Sequence, residues 1–172
     1  MRIILLRHGP AEARDSVQWP DDALRPLTTK GASRTRDVAL GILCLEDPPT
    51  AIWTSPLVRA RQTAEIARDV WGERTTIENR DTLRPGGSWR LLCDAMLERT
   101  ELESLAIVGH EPDLGRLLGV FLFCSPNAIA IKKAGACGIE FHDQPGPGQG
   151  VLKWFLGPRA LQRLAQTRKG NA

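Results

Sequence analysis

Long apolar runs are missing from this 172-residue sequence. None approaches the ~18 consecutive apolar residues of a membrane span. The short run at residues 3–6 leads straight into Arg7 and His8, so it does not make the apolar stretch of a secretion signal. The sequence therefore predicts a cytoplasmic protein with no membrane partner. Charge asymmetry is missing as well. There are 23 Lys and Arg against 20 Asp and Glu, a formal charge of +3. That balance speaks against a nucleic-acid partner, although a few arginines focused in one cleft still attract an anion. Cysteine is sparse: Cys44, Cys93, Cys124 and Cys137 contain no CxxC pair and sit in or beside apolar stretches. Buried free thiols in a reducing compartment are the expectation. Repeats, linkers and low-complexity blocks are absent. A single domain over residues 1–172 is predicted, with a tail that frays after about residue 167. This length buries a real core without disulfides or metals. No large exposed apolar helix calls for a second subunit, so a monomer is expected.

What is present alternates strand with helix. Residues 2–6 read as a buried strand. Residues 9–26 are polar and broken by Pro10, Pro20 and Pro26. Thr28 or Thr29 can cap a helix running to about Leu45, stopped by Pro48 and Pro49. Residues 51–54 form a second strand. Ser55 and Pro56 then look like an N-cap and first helical position, with the helix ending at Gly72. Residues 75–78 make a weak third strand, and residues 83–87 a loop. Ser88 can cap a helix to about Arg99. A strand at 105–108 precedes a helix from Pro112 to about Phe123. Residues 129–131, 136–141 and 151–155 look like later strands, the last two joined by a Gly/Pro turn at 144–150. Pro158 opens a final helix. This order predicts an α/β protein with a mostly parallel sheet and at least one antiparallel member.

Histidine is also scarce, and its placement is informative. Of His8, His110 and His142, the first two immediately follow predicted buried strands. The crevice of an open α/β sheet lies beyond such strand ends. A third strand end, Thr54-Ser55-Pro56, leads into a helix with Arg59 in its first turn, where the helix N-terminus favours anions. Three strand ends thus bring Arg7, His8, Arg59 and His110 towards one cleft. Arginine pairs with phosphoryl oxygens and stays charged. Histidine accepts a phosphoryl group on a ring nitrogen. Taken singly, each residue has a plainer reading as a structural histidine or a solvated charge. Two histidines also admit a metal, but the adjacent arginines would repel a cation, so no metal site is expected. His142 reads as structural or exposed. Of the five tryptophans, Trp19 and Trp89 lie in or beside loops and are the two that can line a cleft rim.

These residues also carry a family resemblance. Leu6-Arg7-His8-Gly9 resembles the RHG signature of the histidine phosphatase (phosphoglycerate mutase-like) superfamily. Residues 22–28 (DALRPLT), with Gly31, resemble its second block. Residues 54–64 (TSPLVRARQTA) are similar to its SPxxRxxQTA block, and residues 108–112 (VGHEP) to its second-histidine motif. The blocks occur in order across residues 1–119. The short length and the RPLTxxG and GHEP forms resemble the SixA-type subgroup of small phosphohistidine phosphatases. The resemblance implies a three-layer α/β/α sandwich of phosphoglycerate mutase type. It implies that His8 is phosphorylated, that Arg7, Arg59 and His110 complete the phosphate pocket, and that Arg25 reaches the same phosphate. Water then releases phosphate without metal, nucleotide or other cofactor.

One expected group is missing. Larger superfamily members carry an acid between the SPxxRxxQTA block and the second-histidine motif, in a segment inserted over the cleft. Here residues 79–88 are short and hold no acid at that place. Asp81 is nearby, with a surface role the simpler reading. Glu111, directly after His110, is the other candidate proton donor, unless it only complements a helix N-terminus. Phosphohistidine lessens the need for an acid, because imidazole leaves far more easily than an alkoxide. The first reading is therefore dephosphorylation of phosphohistidine on a signalling protein such as a histidine-containing phosphotransfer domain. The alternatives are a phosphatase of small phosphorylated metabolites (sugar phosphates or nucleotides) and a non-catalytic domain that binds phosphorylated ligands.

Overall fold

The computed structural model describes residues 1–99, 101–125 and 128–170. The strands are β1 (Arg2–Arg7), β2 (Ala51–Thr54), β3 (Thr76–Asn79), β4 (Ser104–Gly109), β5 (Ala136–Phe141) and β6 (Gly150–Leu156). The helices are α1 (Thr29–Ile42), α2 (Val58–Trp71), α3 (Trp89–Leu97), α4 (Asp113–Phe121) and α5 (Pro158–Gly170). All six strands share one sheet in the order β3-β2-β4-β1-β5-β6. The first four are mutually parallel. β5 runs antiparallel to both neighbours, so it is the single reversed strand.

The sheet separates two apolar layers. Ile3, Leu5, Trp53, Leu105 and Ile107 face α3 and α4, where they meet Leu92, Met96, Leu114, Leu117 and Phe121. Ile4, Leu6, Ile52, Ala106 and Val108 face α1, α2 and α5, where they meet Val38, Ile42, Ala60, Ala64, Ala67 and Leu161. Alternate residues of one strand enter opposite layers because strand side chains alternate faces. Burial on both sides explains why β1, β2 and β4 read as unbroken apolar runs. The expected three-layer sandwich, with its antiparallel member, is the fold.

Local signals work where a side chain has no competing partner. The Thr28 hydroxyl accepts from the Gly31 amide at 2.9 Å, and Ser88 accepts from the Leu91 amide. Gly72 ends α2 with φ of 107°, a conformation that suits glycine.

Three expectations need correction. Ser55 does not cap α2, which begins at Val58 after an extended Leu57. The Ser55 hydroxyl turns instead to His110. Residues 129–131 form no strand. Ile131 is buried singly in the core, and its backbone is held by side chains rather than a neighbouring strand. Finally, only Cys93 and Cys137 are buried, while Cys44 and Cys124 are exposed; all four thiols are free. Adjacency to apolar residues does not distinguish a thiol inside α3 or β5 from one just past the end of α1 or α4.

Candidate active site

The carboxyl ends of β1, β4 and β2 lie side by side, in a register that pairs Arg7 with Gly109 and Thr54 with Val108. The next residues, His8, His110 and Ser55, therefore emerge together. The two imidazoles stand 5.0 Å apart between ring centroids. Each is at least 94% buried, as are Arg25 and Arg59 (6, 4, 6 and 3% exposed for His8, His110, Arg25 and Arg59). Arg7, His8, Arg25, Arg59, His110 and Glu111 all line one cleft of about 380 Å³. The structure thus brings together the five residues expected in the phosphate pocket, with Glu111 beside them.

Each is held in place. His8 Nδ1 lies 2.7 Å from the Gly9 carbonyl oxygen and can only donate to it. That leaves Nε2 with a free lone pair. The Gly9 amide donates to the Thr63 hydroxyl at 3.1 Å. A side chain at Gly9 would collide with Thr35 Oγ1, so the RHG glycine makes room for the α1 threonine against the His8 loop. Arg7 Nη1 donates to the Ile131 carbonyl at 2.9 Å, while the Ile131 amide donates to Glu111 Oε1 at 2.8 Å.

Asp22 is a hub that the sequence pattern did not reveal as such. Its Oδ2 lies 3.1 Å from Arg59 Nη2, its carbonyl accepts from Arg59 Nη1 at 2.8 Å, and its Oδ1 accepts from Arg25 Nε at 2.8 Å. Arg25 also donates to the Glu12 carbonyl. Ser55 was likewise read as a cap. Its Oγ accepts from the Leu57 amide at 3.3 Å and lies 2.9 Å from His110 Nε2. The hydroxyl proton can be donated to Nε2, and in that tautomer the His110 proton sits on Nδ1. That Nδ1, Arg7 Nε and Arg59 Nε are buried without a hydrogen-bond partner. Leaving such donors unsatisfied costs ~1–3 kcal/mol each, a cost that an anionic ligand would remove.

Burial, with the nearby cationic arginines adding to it, pushes His8 down to about 3 and His110 down to about 4. Both rings are neutral at neutral pH. Burial also lowers Arg7 and Arg59. The sign of the histidine shifts has a measurable consequence. An unfolded histidine protonates near 6.5, whereas these two stay neutral until pH 4 or below. Acidification from 6.5 towards 4 therefore favours the unfolded chain. The melting temperature should fall between pH 7 and pH 5, and by less in a His8→Asn, His110→Asn double variant. Equal pH slopes in both proteins would refute the assignment of this acid sensitivity.

Other candidates lie elsewhere. Asp81 is exposed and paired with Arg84, and His142 is exposed. Neither Trp19 nor Trp89 lines the cleft. Trp89 lines a small pocket that shares His110 with it. Among the described residues no group of three or more His, Cys, Asp or Glu side chains is placed to hold a metal ion. No described helix is long and apolar enough to cross a membrane.

The model of the histidine phosphatase superfamily (branch 1) matches residues 3–116. The chain belongs to that superfamily. The four sequence blocks are thus those of a histidine phosphatase, and the protein is a phosphatase enzyme. It is 39% identical over 146 residues to an uncharacterized protein of Picosynechococcus sp., covering 81% of this chain and 85% of that one. It is 26% identical over 164 residues to the phosphohistidine phosphatase SixA of Escherichia coli K12, covering 94% of this chain and 97% of that one. The solved structure of the protein histidine phosphatase SixA complexed with tungstate superposes with a TM-score of 0.81 at 24% identity, over 94% of this chain and 99% of that one. The histidine phosphatase fold expected from the blocks is therefore confirmed, with SixA among its relatives.

Proposed function

We propose that this histidine phosphatase removes the phosphoryl group from phosphohistidine on a cytoplasmic signalling protein, through an intermediate on His8. One observation carries the reading. A neutral imidazole, with Nδ1 tied to a carbonyl and Nε2 free, stands among buried arginines at the floor of the cleft. His8 Nε2 attacks phosphorus. The bond from phosphorus to the substrate nitrogen breaks, and the leaving imidazole keeps the bonding pair and takes up a proton. Arg7, Arg25, Arg59 and the Nδ1–H of His110 hold the phosphoryl oxygens, and their fixed dipoles and charges stabilise the transition state. Water then attacks the phosphohistidine, releasing phosphate and restoring His8. His110 makes its hydrogen bond as a neutral donor, so no prior protonation is needed.

Two features favour phosphohistidine over a small ester. The segment between β3 and α3 (residues 80–88) contributes only Pro85 to the cleft lining, so the cleft has no carboxylic acid from that side. Glu111 is the candidate proton donor, but its Oε1 already accepts the Ile131 amide. Similarity to the E. coli phosphohistidine phosphatase points the same way. A substrate panel decides the matter. The kcat/KM for a phosphohistidine-bearing phosphotransfer domain should exceed that for sugar phosphates and nucleotides by at least about a hundredfold, the scale of one missing general acid. Equal or faster turnover of a small ester would replace this proposal with a metabolite phosphatase.

A further inference from the structure

The cleft carries cations at two depths. Arg25 and Arg59 are buried at its floor and fixed by Asp22, with Arg7 beside them. Arg14 and Lys133 line the same cleft from two separate segments, and both are exposed. Arg14 is 83% exposed, and its one ion pair is a long 3.7 Å contact to the Asp22 carboxylate, whose oxygens are already taken up by Arg25 and Arg59. Among the described residues Lys133 forms no ion pair. It is nonetheless well placed. The backbone of the next residue, Ala134, donates to the carbonyls of Arg7 and His8, which anchors the Lys133 segment to the end of β1.

A single phosphoryl group bound at His8 uses the inner arginines. It leaves the outer pair unspent, at the level where the atoms around the phosphorylated side chain must lie. The lining as a whole has five cations against two carboxylates, Glu12 and Glu111. One of these carboxylates, Glu111, is bonded to the Ile131 amide and faces Arg7. The excess is positive in a chain that is nearly balanced overall, so the field is concentrated at this mouth.

Resting on the phosphohistidine reading above, we propose that Arg14 and Lys133 form an outer recognition pair for a phosphohistidine set in an acidic protein surface. Exposed charges of this kind act mainly on encounter and selection rather than on the chemical step. Their contribution is screened by salt, the Debye length falling to about 3 Å at 1 M.

The test compares two phosphohistidine peptides of equal length, one with Asp and Glu flanking the phosphohistidine and one with Asn and Gln, alongside free phosphohistidine. The intact protein should prefer the acidic peptide about tenfold in kcat/KM, equivalent to ~1.4 kcal/mol. The preference should vanish in an Arg14→Gln, Lys133→Gln double variant and shrink at high salt for the intact protein. An intact protein without preference, or a double variant that keeps it, would overturn the outer pair while leaving phosphohistidine hydrolysis standing. If no phosphohistidine substrate is turned over but sugar phosphates are, the underlying function fails and the recognition pair fails with it.

Discussion

His8→Ala should abolish phosphoenzyme formation and reduce turnover by on the order of 10⁵- to 10⁶-fold, the scale expected when a covalent nucleophile is removed. No other ring nitrogen in the cleft can substitute. With Ser55 donating to its Nε2, the second imidazole, His110, carries its proton on Nδ1 and has no free lone pair to offer. The inner arginines are donors only. Brief incubation of the unaltered protein with radiolabelled phosphohistidine substrate and a rapid quench should trap label that is stable in base and lost in acid. The variant should show none, while its circular dichroism and cooperative melting are retained. Acid-stable label, or label retained in His8→Ala, would rule out His8 as the acceptor.

The second large effect is expected at Arg59. Arg59→Ala should lower kcat/KM by about 10²–10³, as for loss of one preorganised donor to transition-state charge. Part of that loss has a separate origin. Without Arg59, Asp22 Oδ2 loses its 3.1 Å partner, and the carboxylate, left with Arg25 and the long contact to Arg14, is less fully compensated beside the phosphate site. Removing Asp22 as well should therefore recover part of the activity, by about threefold to tenfold, within the range of coupling between contacting charged residues. Arg59→Lys should not rescue, because an ammonium does not bridge Asp22 and phosphate with a planar fork. A loss below tenfold in Arg59→Ala, or a further loss on adding Asp22→Ala, would contradict this division of roles.

The sequence reveals much of the architecture because each buried strand is a dense apolar run. β2 and β5 appear at the predicted residues, and β1 and β4 within one or two of them. It also points to the catalytic cleft, since two histidines directly follow such strands. Three of the failures have a common physical cause. Ser55-Pro56 has the chemistry of a helix start, but a tertiary partner, His110, takes the hydroxyl. Residues 129–131 have strand-like composition, but Ile131 is buried one residue at a time and its backbone is satisfied by Arg7 and Glu111. Asp22 is invisible as a hub because nothing local shows that one carboxylate will meet arginines from two segments. Each of these three is a hydrogen bond or ion pair to another segment overriding a short-range preference. The same holds for Lys133, whose place at the cleft follows from backbone contacts to residues more than 120 positions earlier.

The position of β1 at the middle of the sheet bears on how the molecule assembles. It is the first strand made, yet its two neighbours are β4 and β5, reached only after residues 104 and 136. Pairings of that sequence separation close late and slowly. His8 and His110 therefore come within reach of each other only once the chain is available as far as the end of β4. Activity in this protein should appear in a single step with completion of the sheet, and an amino-terminal fragment that ends before β4 should have none.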